Sequence, residues 1–186
     1  MARTYFDQEK ALNVLLFVIQ QLGKPGYHKA FKTLYFAEQQ YLTTYGASLM
    51  GGDRFVKMKD GPVPTHIYDF VKLANGKYQG HAYGPEFTEQ VKASIAPHDR
   101  HQMVALIGPD LDFLAPAEAE VLYNSARMCA PLTYAQLRDM SHDRAWHSVE
   151  YNEIIEPVAI AAAAGATPEQ LDYLREVLNN DYYASL

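Results

Sequence analysis

The stretch Phe55-Val56-Lys57-Met58-Lys59-Asp60-Gly61-Pro62-Val63-Pro64-Thr65 decides how this chain is read. Phe55 to Lys59 alternates apolar and charged side chains, the period of a half-buried strand. Asp60 to Pro64 must then turn, because the prolines lack the N–H that a regular helix or a central strand needs. Thr65 can cap a helix that carries Ile67, Tyr68, Phe70 and Val71 and fades at Asn75-Gly76. Strand, rigid turn and helix in that order set an α+β reading, which the flanking sequence extends.

Upstream, residues 8–22 read as a helix, with Ala11, Leu12, Leu15, Leu16, Ile19 and Leu22 on one face and Asp7 as its cap. Gly23, Pro25 and Gly26 break the chain. A second helix runs from Tyr27 to Thr44, its stripe formed by Tyr27, Phe31, Leu34, Tyr35, Tyr41 and Leu42, with Gly46 suited to its stop. Downstream, residues 76–90 read as a loop. Val91 to Ile95 and Met103 to Ile107 are two β-like runs joined by a hairpin connection at Pro97-His98-Asp99-Arg100. With Phe55 to Lys59 they suggest one small antiparallel sheet, closed off by Gly108-Pro109. The rest reads helical. Pro116 opens a helix through Cys129, Thr133 caps one carrying Leu137 and Met140, and Pro157 opens one that Gly165 stops. Thr167-Pro168-Glu169-Gln170 is a capping box that launches Leu171, Leu174, Val177 and Leu178. Nothing separates two domains. The expectation is one α+β domain over residues 1–186, mostly helical, with a small antiparallel sheet.

The composition limits the function classes. A chain of 186 residues with 48% hydrophobic and 20% charged residues can bury a core, and its 14 Tyr suit a surface that binds. The net charge of −6 repels phosphate backbones, and no Lys/Arg run offsets it, so no direct nucleic-acid partner is expected. Cys129 is the only cysteine, which excludes an intramolecular disulfide and fits a reducing cytoplasm. The segment from Met1 to Gln8 has no apolar signal core, and the Ala-rich stretch around Ala161 is too short to cross a bilayer.

Three clusters could carry chemistry. His98-Asp99-Arg100-His101 sets two imidazoles beside a carboxylate. That is too few ligands for a closed zinc site and reads as a solvated turn. His142 and Asp143 could serve as acid and base, with His147 and the lone Trp146 close by, but a lone Trp among polar groups reads first as a packing anchor. Cys129, between Met128 and Ala130, reads as a small core residue. No set is complete, so neither a metal nor any other cofactor is expected, and the chain reads as a binder, not an enzyme.

One series of fragments is more specific. Lys32-Thr33-Leu34-Tyr35-Phe36-Ala37-Glu38 is followed by Tyr45-Gly46-Ala47-Ser48-Leu49, by Asp53-Arg54-Phe55-Val56, and by Gly61-Pro62-Val63-Pro64. In that order and spacing they resemble the N-terminal signature of the Panacea domain, the SocA-like antitoxin family. Thr133 to Leu137 and Ser141-His142 with Trp146 resemble its C-terminal portion. Thr33 stands where the family usually has Leu. The resemblance implies an antitoxin of a toxin–antitoxin system, a setting of phage defence. It would neutralise a cognate protein toxin by direct protein–protein contact, or act as an adaptor delivering that toxin to a cytoplasmic protease. The DNA-binding extension of many relatives is not expected here, since no helix-turn-helix pattern is read and the charge is acidic. The expected toxin-binding surface comprises Asp53, Arg54, Gly61, Pro62, Val63, Pro64, His66, Tyr68 and Trp146. The competing readings are a small metal-dependent hydrolase built on His98/His101 or His142/Asp143, and a phage or prophage interaction protein without a toxin.

Overall fold

The computed structural model describes residues 6–184. The expectation for Met1 to Gln8 lies largely outside them. Helix α1 (Gln8–Leu22) opens where Asp7 Oδ1 accepts a hydrogen bond from Lys10 N at 3.0 Å. Val14 and Val18 are buried along with the expected stripe from Ala11 to Ile19, while Leu22 is half-buried, so α1 is covered on more than one side, by α2 (Tyr27–Tyr45), α3 (Thr65–Ala74) and α5 (Pro116–Cys129). Helix α2 ends at Gly46, whose φ of 63° is the left-handed conformation that glycine adopts without strain. Its buried set includes Lys32, Thr33 and Glu38 beside Phe31, Leu34 and Tyr35. Burial pushes the Glu38 carboxyl up to about 7, although Leu49 N donates to it at 2.9 Å.

Strands β1 (Phe55–Met58) and β2 (Gly61–Pro64) form an antiparallel hairpin through Lys59-Asp60. The expected turn over Asp60 to Pro64 is therefore shorter, and its proline segment is a strand. The hydrogen-bond pattern explains how. On the other side of β1 lies β5 (Ile154–Ile155), and Lys57 aims both its N–H and its C=O that way, to Glu153 O and Asn152 N. Lys57 faces Pro62 and Phe55 faces Pro64, so both prolines occupy non-hydrogen-bonded pairs of the ladder. Their missing N–H groups point off the sheet edge, where no ladder bond is lost. The sheet order is β2-β1-β5.

The second correction concerns residues 76–95. Val91 to Ser94 is not a strand but the end of helix α4 (Pro85–Ser94), and Pro85 is its first residue, not a loop breaker. Phe87 and Val91, four residues apart, bury one helical face. The strands that follow, β3 (Ile95–His98) and β4 (Gln102–Ala105), pair with each other in a separate two-stranded sheet. The single sheet expected from sequence is thus two, attached to different helices.

The C-terminal half follows the sequence reading more closely. A 3₁₀ turn (Leu111–Phe113) leads into α5. Thr133 caps α6 (Tyr134–Ser141), and the Gln136 side chain returns a bond to Thr133 N at 2.9 Å. A short α7 (Arg144–His147) follows, then α8 (Pro157–Ala163) and α9 (Pro168–Ala184). The architecture is α+β, mostly helical, around one cluster of buried apolar side chains drawn from α1 to α5, both sheets, α8 and Leu174. Among the described residues no helix is long and apolar enough to cross a membrane.

Candidate protein-binding site

Four donors converge on Asp53, just before β1. Its Oδ1 accepts from Arg54 N (2.8 Å), Thr65 Oγ1 (2.7 Å) and His66 N (2.9 Å), and its Oδ2 from Ile67 N (2.9 Å). The cap of α3 is therefore Asp53, reaching across from the other side of the hairpin, and not Thr65, whose hydroxyl is spent on Asp53. Burial raises the Asp53 pKa, and the donors from His66, Ile67 and Thr65 work against that. His66 stacks on Phe6 with ring centres 3.8 Å apart, and its Nδ1 lies 2.7 Å from Tyr83 Oη. Tyr68, two residues on, is 38% exposed, rests edge-on against Phe31 and lies under the Lys72 ammonium.

Beneath the hairpin lies a buried cation. Lys32 is 1% exposed and donates to Pro62 O at 2.7 Å, which covers the carbonyl that the sheet edge leaves unpaired. Burial holds its ammonium down at about 7, with the Asp60 carboxylate pulling the other way. Gly61 has φ +103°, and a Cβ there would run into Ser141 Oγ and Lys32 Cε, so the hairpin backbone sits directly on these two side chains. His28 stacks on Tyr134, 4.0 Å between ring centres, and lies 3.2 Å from Asp60 O. Burial and then Lys32 depress its pKa to about 4.

Trp146 joins this group to α7. Its Nε1 donates to Met58 O at 3.0 Å, His142 stacks flat on it at 3.9 Å, and Lys57 Nζ stands 4.3 Å from its ring centre. Burial, followed by the charge of Lys32, lowers the His142 pKa, and its Nε2 is enclosed without a hydrogen bond from the described residues. Asp143 accepts from Tyr35 Oη (2.9 Å), Gln39 Nε2 (2.6 Å) and Trp146 N (3.0 Å). From Asp143 an open groove of about 740 Å³ runs between α2, α5, α6 and α8, with Gln40, Thr44, Asn124, Met128 and Met140 along it.

The hairpin residues, Tyr68 and Trp146 thus belong to one connected region, held by Asp53, Lys32 and the Trp146 to Met58 bond. Within it Asp53, Gly61, Pro62 and Pro64 are buried and set the shape, Arg54, Val63, His66 and Trp146 are half-buried, and Tyr68 is exposed. Arg54 lies 3.6 Å from Glu156. His98 and Asp99 sit apart, at the tip between β3 and β4. Among the described residues no three His, Cys, Asp or Glu are placed to hold a metal ion. Cys129 is fully buried, its thiol pushed up by burial. Sequence reasoning passed over Lys32 and the groove. Lys32 carried a signal, since a lysine on the apolar face of α2 needs an acceptor. The groove carried none, because it arises only where four helices meet.

A family model described as "Antitoxin SocA-like, Panacea domain" matches residues 31–147. That span takes in the hairpin, Lys32, Trp146 and nearly all of the groove. No curated protein matches the chain, and no solved structure does.

Proposed function

This chain belongs to the SocA-like antitoxin family that carries the Panacea domain, and from that premise we propose that it neutralises a protein toxin by direct contact rather than by turnover. The observation that carries the reading is the family match over the same residues that form the connected hairpin region. Physical chemistry supports it. The proline-bearing edge strand has few conformations open to it and is fixed from below by Lys32, so a partner binding there orders little that is not already ordered. Tyr68 offers a large exposed ring beside the Lys72 ammonium, the kind of side chain that anchors interfaces. Asp143 is committed to three donors and His142 to the Trp146 stack, which suits support better than proton transfer.

In this proposal Arg54, Val63, His66, Tyr68 and Trp146 meet the toxin, while Asp53, Gly61, Pro62 and Pro64 hold them in place. The action is cytoplasmic and needs neither nucleic acid nor cofactor. Delivery of the bound toxin to a protease is an additional route that the same contact would allow. The test is co-expression with the product of the adjacent gene that arrests growth on its own. Rescue of growth together with co-purification of the two proteins is the expected result. Rescue without any complex would contradict direct contact, and a toxin neither bound nor relieved would contradict the antitoxin reading.

A further inference from the structure

A second surface lies away from the hairpin. Between β4 and α5 the chain runs Leu106-Ile107-Gly108-Pro109-Asp110-Leu111-Asp112-Phe113, and four of these eight residues are large, apolar and exposed: Leu106 55%, Ile107 52%, Leu111 59% and Phe113 38%. Exposed apolar side chains gathered in one short segment are a recognised mark of association. The segment is also fixed in place. Leu106 N donates to Ser94 O at 2.8 Å, Asp110 N to the buried Asn13 Oδ1 at 2.8 Å, and Asp112 N to Asp110 Oδ1 at 3.0 Å, after which Leu114 enters the core. The apolar groups are therefore presented on an ordered backbone at little entropic cost.

Charge decides what such a surface accepts. From Gln102 to Ala126 there are four carboxylates, Asp110, Asp112, Glu118 and Glu120, and no Lys or Arg. Among the described residues, Lys10 pairs with Glu118, and no Lys or Arg forms an ion pair with the other three. Asp110 and Asp112 alternate with the exposed apolar residues. A second copy of the chain would set these carboxylates against their own kind, which disfavours symmetric pairing. We infer that the Leu106–Phe113 segment docks a protein surface that is apolar and bordered by Lys or Arg. This goes beyond the antitoxin reading and does not depend on it.

The test uses the full chain and a labelled amphipathic helical peptide of Leu and Lys, with a Leu and Glu peptide of the same pattern as control. Binding of the Leu/Lys peptide, with amide shift changes confined to residues 106–114 and their contacts on α1 and α4, is expected. L106S/L111S should weaken binding at least tenfold with an unchanged thermal midpoint, as both side chains are exposed. D112N should weaken it at low salt more than E176Q, which makes the same charge change on exposed α9. Equal binding of the Leu/Glu peptide, shifts located elsewhere, or full binding by L106S/L111S would each overturn the inference. So would a concentration-dependent dimer abolished by L106S/L111S, which would assign the surface to a second copy.

Discussion

Gly61 and Lys32 are where the hairpin meets the helix below it. At Gly61 a Cβ would meet both a positive φ and two buried side chains. Gly61→Ala should therefore lower stability by about 2–4 kcal/mol in denaturant titration, more than either strain or overpacking alone. A loss under about 0.5 kcal/mol would mean that the contact relaxes freely. Lys32 gives the region a pH signature. Its pKa in the folded chain, about 7, lies below the ordinary lysine value of 10.5. Between these values the unfolded chain binds the extra proton, so the Lys32 contribution is least favourable below pH 7 and improves as pH rises toward 10.5. Asp60, His28 and His142 share its surroundings. Measured from pH 6.5 to 9.5, the stability of wild type relative to Lys32→Met should rise with pH. A flat difference would show that Lys32 stays charged in the folded chain.

At the level of elements, Asp53 ties the start of β1 to the first turn of α3. Asp53→Ala leaves three backbone N–H groups and the Thr65 hydroxyl without their acceptor, Ile67 N among them in a buried position. The expected loss is about 3 kcal/mol, above the usual range for a cap because the orphaned donors are partly out of water. Asp53→Asn keeps an acceptor and should recover part of it, whereas equal losses would assign the effect to charge alone. The same element shows what sequence can and cannot tell. Helix α1, the stop of α2 at Gly46, the cap at Thr133 and the box at Thr167 were legible because each is written in neighbouring residues. The cap of α3 was misread because its acceptor is twelve residues before Thr65. Helix α4 was missed because Gly84 and Pro85 read as loop residues, although Pro85 starts the helix and Phe87 with Val91 gives its period. The proline strand was hidden because an edge position, which makes its prolines tolerable, is a property of the sheet and not of the segment.

Across the whole molecule, the hairpin region and the Leu106–Phe113 segment sit on different elements, the first on α2, α3, α6 and α7, the second beside α1 and α4. The region around the hairpin was legible as a set of fragments, since Asp53 to Val56, Gly61 to Pro64 and Trp146 carry the family resemblance, but the bond from Trp146 to Met58 that unites them spans 88 residues and emerges only in the fold. The central claim is that this region stops a toxin by touching it. The most direct measurement titrates the purified chain into the purified growth-arresting product of the adjacent gene, with no protease present, while following toxin activity and complex formation together. The account predicts that activity falls to zero as the complex saturates. It also predicts that Tyr68→Ala, with its thermal midpoint within a degree or two of wild type, shifts both curves by roughly tenfold, the loss of about 1.4 kcal/mol expected of an interface anchor. Full toxin activity in the presence of excess chain, or inhibition that Tyr68→Ala leaves untouched, would contradict it.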